Sequence, residues 1–157
     1  MLKYTICFIR RRNEVLLLNR EHPSWMGSWN GIGGKIEANE TPLQCVIREI
    51  LEETGMRPAE VLYKGTVTWE VDGAMVGGMY TFMAVVPDDL IFETPRKTDE
   101  GILDWKDISW IVNPDNTGMA TNVPKFLPKV LGDKRLYEHR CVFFGNVLQR
   151  VDSVCLS

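Results

Sequence analysis

"GIGGKIEANETPLQCVIREILEETGM", residues 31–56, decides how the chain reads. Its second half is a helix with both ends written out. Thr41 has the side chain of an N-cap, and Pro42 falls at the first helical position, where its missing N–H is no loss. Gln44 follows Thr41 at the spacing of a capping box, and Gly55 supplies the left-handed residue that ends a helix. These signals predict a helix over residues 42–54. Leu43, Val46, Ile47, Ile50 and Leu51 then share one face, expected to pack on a sheet. Glu49, Glu52 and Glu53, spaced i, i+3 and i+4, converge on another face, where like charges cost about 0.2–0.5 kcal/mol per pair. Arg48 lies four residues before Glu52 and compensates it, while Glu49 and Glu53 have no such cation within the helix. A glutamate run is most often a solvated face. The glycine-rich turn before this one shifts the balance toward a hard divalent cation, which takes carboxylate oxygens together with water and phosphate oxygens.

The 157 residues are the length of one domain, expected to span 1–157, and 45% hydrophobic content is enough for a core. A net charge of -3 and a pI near 5.4 argue against binding a nucleic-acid backbone. Cys7, Cys45, Cys141 and Cys155 form no CxxC pair, and His22 and His139 are the only histidines, which argues against a zinc site, as the chain's size does against a disulfide framework. The expected setting is a reducing, cytoplasmic compartment. No apolar run is long enough to span a membrane, and "MLKYTICFIRRR" has the wrong charge order for a signal peptide.

Strands are expected at 4–9, 14–20, 65–71, 77–86, 102–108, 137–144 and 147–154, with "DGAMV" (72–76) as a turn and Gly145-Asn146 as another. Residues 21–34, 87–101 and 113–122 read as loops, and "VPKFLPKVLG" (123–132) as a second helix. Strands and helices mix, so the fold class is α/β (α+β) around a mixed sheet.

The pattern G-x5-E-x7-R-E-U-x-E-E-x-G-U, with U a bulky aliphatic residue, is met by Gly34, Glu40, Arg48, Glu49, Ile50, Glu52, Glu53, Gly55 and Met56. It resembles the signature of the Nudix hydrolases. The resemblance implies a mixed β-sheet sandwiched between α-helices in an α/β/α arrangement. It implies hydrolysis of a nucleoside diphosphate linked to another moiety, with Mg²⁺ or, alternatively, Mn²⁺ as cofactor. Carried onto matching positions, it makes Glu49, Glu52 and Glu53 metal ligands, with Gly33 and Gly34 letting the backbone approach metal and phosphates. Arg48 orients the glutamates, and Glu40 is structural. Glu100, in "KTDEGILDW", resembles the family's late acidic residue and is a candidate general base or further metal ligand, with Glu53 and Glu52 as rivals for the base. Lys35 and Arg20 are candidate phosphate contacts.

"SWNGIGGKIE" (28–37) resembles the corresponding stretch of the oxidised-purine nucleoside triphosphatases, the MutT-homologue group. There an asparagine reads the base edge, which implies that role for Asn30. Trp29 and Trp25 are candidates to stack on the base, plain loop packing being the alternative. That group carries a tryptophan and an acidic pair before its last helix. Here Met119, Ala120, Thr121, Asn122 and Val123 stand instead, and Asn122 is left to take part of that role. The expected reaction releases nucleoside monophosphate and pyrophosphate from a nucleoside triphosphate such as 8-oxo-dGTP, a step in nucleotide-pool sanitation. The alternatives are another nucleoside diphosphate derivative (ADP-ribose, a dinucleoside polyphosphate) or a nucleotide sensor without turnover. The expected partner is a small nucleotide, with no nucleic acid and no membrane, and the chain is expected as monomer or homodimer.

Overall fold

The computed structural model describes residues 1–23 and 26–156; Trp25 lies outside them. The strands are β1 (Tyr4–Arg11), β2 (Glu14–Arg20), β3 (Trp29–Asn30), β4 (Val61–Val71), β5 (Ala74–Val85), β6 (Arg96–Lys97), β7 (Gly101–Asp107), β8 (Tyr137–Phe144) and β9 (Val147–Cys155), and the helices α1 (Pro42–Thr54), α2 (Ile108–Val112) and α3 (Val123–Gly132). One sheet runs β6-β7-β2-β1-β5-β4-β8-β9, with β3 branching from β2. The pairs β1·β5 and β4·β8 are parallel and the rest antiparallel, so the sheet is mixed.

The run "TICFI" is buried on both faces because β1 lies in the middle of the sheet. Ile6 and Phe8 face one side, in a cluster with Met79, Met83, Ile111 of α2 and Val123, Phe126, Leu127 and Val130 of α3. Cys7 and Ile9 face the other, in a cluster with Leu16, Ile32, Phe82 and the α1 residues Val46 and Ile50. Helices thus cover both faces, the α/β/α arrangement.

The hairpin joining β4 and β5 is tighter than expected. Val71 pairs with Ala74, and the turn is Asp72-Gly73 alone, with φ of 51° and 87°, the left-handed pair that matches strand twist. Ile108, read as the end of a strand, and residues 109–112, to which the sequence assigns no element, form the short helix α2. Only part of the apolar face of α1 is covered. Val46 and Ile50 are buried together with Cys45 and Thr54, but Leu43 and Ile47 are 45% and 43% exposed.

His139, for which the sequence offers no partner, is fully buried on β8. Its Nδ1 pairs with Ser153 Oγ at 2.7 Å, and its ring stacks between Phe126 and Tyr137. Burial, with a smaller push from Lys129, lowers its pKa from 6.5 to about 4. Between these values the unfolded chain binds the proton and the folded one does not. Stability therefore falls as pH drops through this window, by roughly 3 kcal/mol at full protonation. Urea midpoints from pH 7 to pH 4.5 are expected to decline in the wild type and to flatten in His139→Phe; parallel declines would show that other groups govern acid stability.

Candidate active site

Helix α1 begins and ends at the expected residues. Thr41 Oγ1 accepts from Gln44 N at 3.1 Å, and Gln44 Oε1 accepts from Thr41 N at 2.9 Å, closing the capping box. Gly55, at φ 74°, returns its N–H to Leu51 O. The frame holds Arg48 at a junction of acids. Its guanidinium grips Glu40 through two hydrogen bonds, of 2.7 and 2.9 Å, and donates to Glu49 Oε1 at 3.0 Å. It also donates to the Lys35 carbonyl at 3.2 Å and reaches Glu52 at 3.4 Å. The expectation that Glu49 has no cation within the helix is corrected: neighbouring side chains on α1 diverge, but a long guanidinium bends back to its i+1 carboxylate. The Arg48 hydrogen bonds hold the Glu40 carboxyl down at about 2, helped by the Glu37 backbone N–H.

Glu49 and Glu53 behave differently. Burial pushes both carboxyls upward, offset by Arg48 for Glu49 and by Thr98 for Glu53. Glu52 and Glu100 add to the rise at each. Glu100, far away in sequence, therefore stands within electrostatic reach of Glu49 and Glu53. Thr98 organises that approach: its hydroxyl lies 3.2 Å from Glu53 Oε2 and accepts from Glu100 N at 3.1 Å.

Glycines complete this end. β1 and β2 pair only at Ile9–Leu16, Arg10–Val15 and Arg11–Glu14 and then part. Residues 29–35 enter the gap, pairing first with β2 at Leu18–Asn30 and then with β1 at Cys7–Ile32 and Tyr4–Lys35. A Cβ on Gly33 would run into the Thr5 carbonyl, and one on Gly34 into the Glu49 carboxylate. Backbone and carboxylate meet here because neither glycine has a side chain. The Gly34 carbonyl is taken by Thr5 N at 2.9 Å, whereas among the described residues nothing donates to that of Gly33.

Among the described residues no three His, Cys, Asp or Glu side chains already enclose an ion. Glu49 is drawn toward Arg48, Glu53 toward Thr98, and the Glu52 side chain is 56% exposed. The donor chemistry nonetheless fits a hard divalent cation: carboxylates that repel one another, two of them costly to ionise where they lie, beside a backbone oxygen with no donor.

The same glycines wall a cavity of about 360 Å³, within the range of roughly 300–1,000 Å³ typical of small-molecule sites. Asn30, Gly31, Ile6, Met79, Trp69 and Asn122 line it, with Tyr4, Thr5, Arg20 and Pro23. Arg20 reaches the Pro23 carbonyl at 3.4 Å. Trp29 does not line the cavity. Asn30 lines it, whereas Trp29 packs against the core cluster of Ile6 and Met79, beneath the Lys106 ammonium, 4.5 Å from its ring. Lys35 is exposed and outside the lining as well. Beside Tyr4, the cavity holds a second aromatic residue, Trp69 on β4, which sequence reasoning missed. Its partner on β5 is Gly77, so no side chain from that strand covers the indole, a pairing that only the register reveals.

A family model, NUDIX domain, matches residues 2–130. The chain belongs to the NUDIX family. It is 31% identical over 112 residues to the uncharacterized Nudix hydrolase YvcI of Bacillus subtilis, covering 71% of this chain and 69% of that one. It is 36% identical over 80 residues to the NAD-capped RNA hydrolase NudC of Vibrio cholerae, half of this chain but 28% of that protein. It is 31% identical over 104 residues to the oxidized purine nucleoside triphosphate hydrolase of Mus musculus, 65% of this chain and 64% of that one. The crystal structure of a MutT protein from Bacillus halodurans superposes with a TM-score of 0.77 at 27% identity, covering 98% of this chain and 97% of that one. The protein is a Nudix hydrolase, of a family that acts on nucleoside diphosphates linked to other moieties and generally uses divalent metal ions.

Proposed function

We propose that this Nudix hydrolase converts a nucleoside triphosphate to nucleoside monophosphate and pyrophosphate with Mg²⁺, and that an oxidised purine such as 8-oxo-dGTP is its preferred substrate. One observation carries the reading: the carboxylates of α1 and a base-sized cavity share the wall formed by Gly33 and Gly34. A nucleotide with its base beside Trp69, Asn30 and Asn122 would direct its phosphates across those glycines toward Glu49, Glu52, Glu53 and Glu100. The oxidised-purine hydrolase among the relatives supports the choice of substrate.

Glu49, Glu52 and Glu53, with the Gly33 carbonyl, would hold the cation. When bound, it neutralises phosphate charge and lowers the pKa of a coordinated water. Arg48 fixes the direction of Glu49 and stays off the substrate. Glu53, or Glu100 beside it, takes the proton of the attacking water: burial and neighbouring charge strengthen the basicity of Glu53. Asn30 Oδ1 accepts from Gly31 N at 2.8 Å, so its amide nitrogen is the group presented to a base. We assign residues 1–157 to one domain, since β8 and β9 complete the same sheet, and place it in the cytoplasm, a reducing setting that suits four cysteines joined in no disulfide.

The test is a panel of 8-oxo-dGTP, dGTP, dATP, ADP-ribose and a dinucleoside tetraphosphate with Mg²⁺, compared by kcat/KM with products resolved by chromatography. The expected result is preference for 8-oxo-dGTP, giving monophosphate and pyrophosphate. A flat profile, or preference for ADP-ribose, overturns the substrate assignment and leaves the family chemistry standing.

A further inference from the structure

The sheet ends in two unlike edges. At one, β6 is two residues long, and both of them, Arg96 and Lys97, are exposed cations. A strand so short and so charged is a poor template for another. At the other, β9 runs nine residues without a proline or a lysine, and among the described residues it has β8 on one side and no strand on the other. The Leu156 N–H is donated to the Leu136 carbonyl at 2.7 Å, so the backbone of residue 156 faces β8. Backbone direction alternates along a strand, and no register shift falls between Val151 and Cys155. The backbone groups of Val151 and Ser153 therefore face outward.

Charged side chains usually protect such an edge, because an incoming copy meets its own charge. On β9 the two charges differ in sign and flank Val151 symmetrically, Arg150 one residue before it and Asp152 one after. An antiparallel copy centred on Val151 sets Arg150 opposite Asp152 of the second copy, and does so twice. The outward backbone of Val151 makes the centre a hydrogen-bonded pair. Arg150 and Asp152 then fall in the non-hydrogen-bonded pairs beside it, where side chains approach most closely. Centring on Arg150 or Asp152 instead opposes like charges, and centring on Ser153 sets Asp152 against Val154. Only one register joins opposite charges. Asp152 also lies across from Arg140 on β8, so Arg150 of the second copy completes an alternating row of arginine, aspartate and arginine. Within one copy Arg150 Nε reaches Asp152 Oδ2 at 2.9 Å, and their side chains are 62% and 49% exposed, so both remain accessible. The guanidinium has further donors to spend on a second carboxylate. The extra residue of β9, Gln149, lies outside the charged centre, so residues 150–152 can pair regularly.

We infer that the free edge of β9 is a two-fold interface for a second copy of this chain, antiparallel and centred on Val151, which joins two sheets into one. The interface is isologous: the same strand serves both copies. Val147 and Val154, 62% and 37% exposed, stand near opposite ends of the strand, so each end brings a valine of one copy beside a valine of the other. A single strand pair lies at the small end of specific interfaces, so the dimer forms reversibly with concentration. No residue of β9 lines the cavity, and the inference is independent of the proposed reaction.

The test is analytical ultracentrifugation of the whole chain and its variants over a range of concentrations. The wild type is expected to rise from 18.0 kDa toward twice that mass. Arg150→Asp opposes aspartates and Asp152→Arg opposes arginines, so each is expected to weaken the dimer by about 10-fold or more. Arg150→Asp combined with Asp152→Arg reverses both charges and restores every pair. Its dissociation constant is expected to return to within about 3-fold of the wild type. Melting of dilute, monomeric samples controls for folding, since an exposed ion pair contributes little to one copy. Should either single variant not fold, Asp152→Asn removes the attraction without adding repulsion and is expected to weaken the dimer by about 3-fold. A wild type that stays at 18.0 kDa at every concentration overturns the inference. So does a dimer that the single variants leave intact, or one that the double variant fails to recover.

Discussion

Glu53→Gln is expected to lower kcat by about 10²–10⁴-fold, to keep nucleotide affinity, and to melt at a higher temperature than the wild type at pH 8. The three outcomes come from one side chain. Glu53 Oε2 is held by Thr98, and a glutamine oxygen accepts the same hydrogen bond, so the local geometry survives. What disappears is the negative charge, and with it both a cation ligand and a proton acceptor. The gain in stability follows from the direction of the pKa. Burial raises the Glu53 carboxyl above its ordinary value. Folding thus favours the protonated form, and that contribution is lost as pH rises through the folded pKa. A neutral amide avoids the loss, so the variant gains on the wild type at pH 8 and not at pH 4, measured without divalent cation. Loss of activity together with gain of stability distinguishes a functional carboxylate from a structural one. Full turnover in Glu53→Gln would remove Glu53 from the reaction, and unchanged melting at pH 8 would remove its buried charge from the stability balance.

Local chemistry explains what the sequence made legible. The ends of α1 depend on Thr41, Pro42, Gln44 and Gly55, whose effects act within four residues, and the helix starts and stops where they indicate. The β8–β9 turn at Gly145-Asn146 is equally local. What was missed depends on residues distant in the chain. Periodicity places Leu43 and Ile47 on the apolar side of α1 but not the limit of what the sheet covers, and both remain exposed. Trp69 looked like any strand aromatic because its significance lies in Gly77 across the hairpin and in the cavity beyond. Asn122 was noticed through resemblance alone. Its amide nitrogen meets Cys141, nineteen positions along and on another element, and its buried oxygen has no partner among the described residues. Trp29, beside Asn30 in the same motif, shows the converse: adjacency in sequence does not bring both into the cavity lining, and Trp29 packs on the core instead.

Arg48→Lys is expected to reduce kcat by roughly 10²-fold or more and to lower the melting temperature by several degrees, although the charge is kept. The two cations differ in geometry. A guanidinium is a rigid fork with five donors, and here it binds both oxygens of Glu40 while serving Glu49, Glu52 and the Lys35 carbonyl. An ammonium is a point with three donors on a shorter reach. It can satisfy Glu40 or Glu49, not both, and whichever it leaves stays poorly hydrated between α1 and the glycine loop. Release of Glu49 disorders the carboxylate that lies against Gly34, so the catalytic loss follows from misplacement and falls in kcat. Acid titration supplies a second readout. Glu40 is held at about 2 by Arg48, so its contribution to stability is present above its unfolded value of 4.5 and lost as pH falls toward 2. In Arg48→Lys that value rises toward the ordinary one, and the acid limb of the stability curve between those pH values becomes shallower. Denaturation midpoints at pH 2.5, 3.5 and 5 measure it directly. A variant with the wild-type acid limb and normal kcat would show that charge alone, and not the fork, holds the glutamates together.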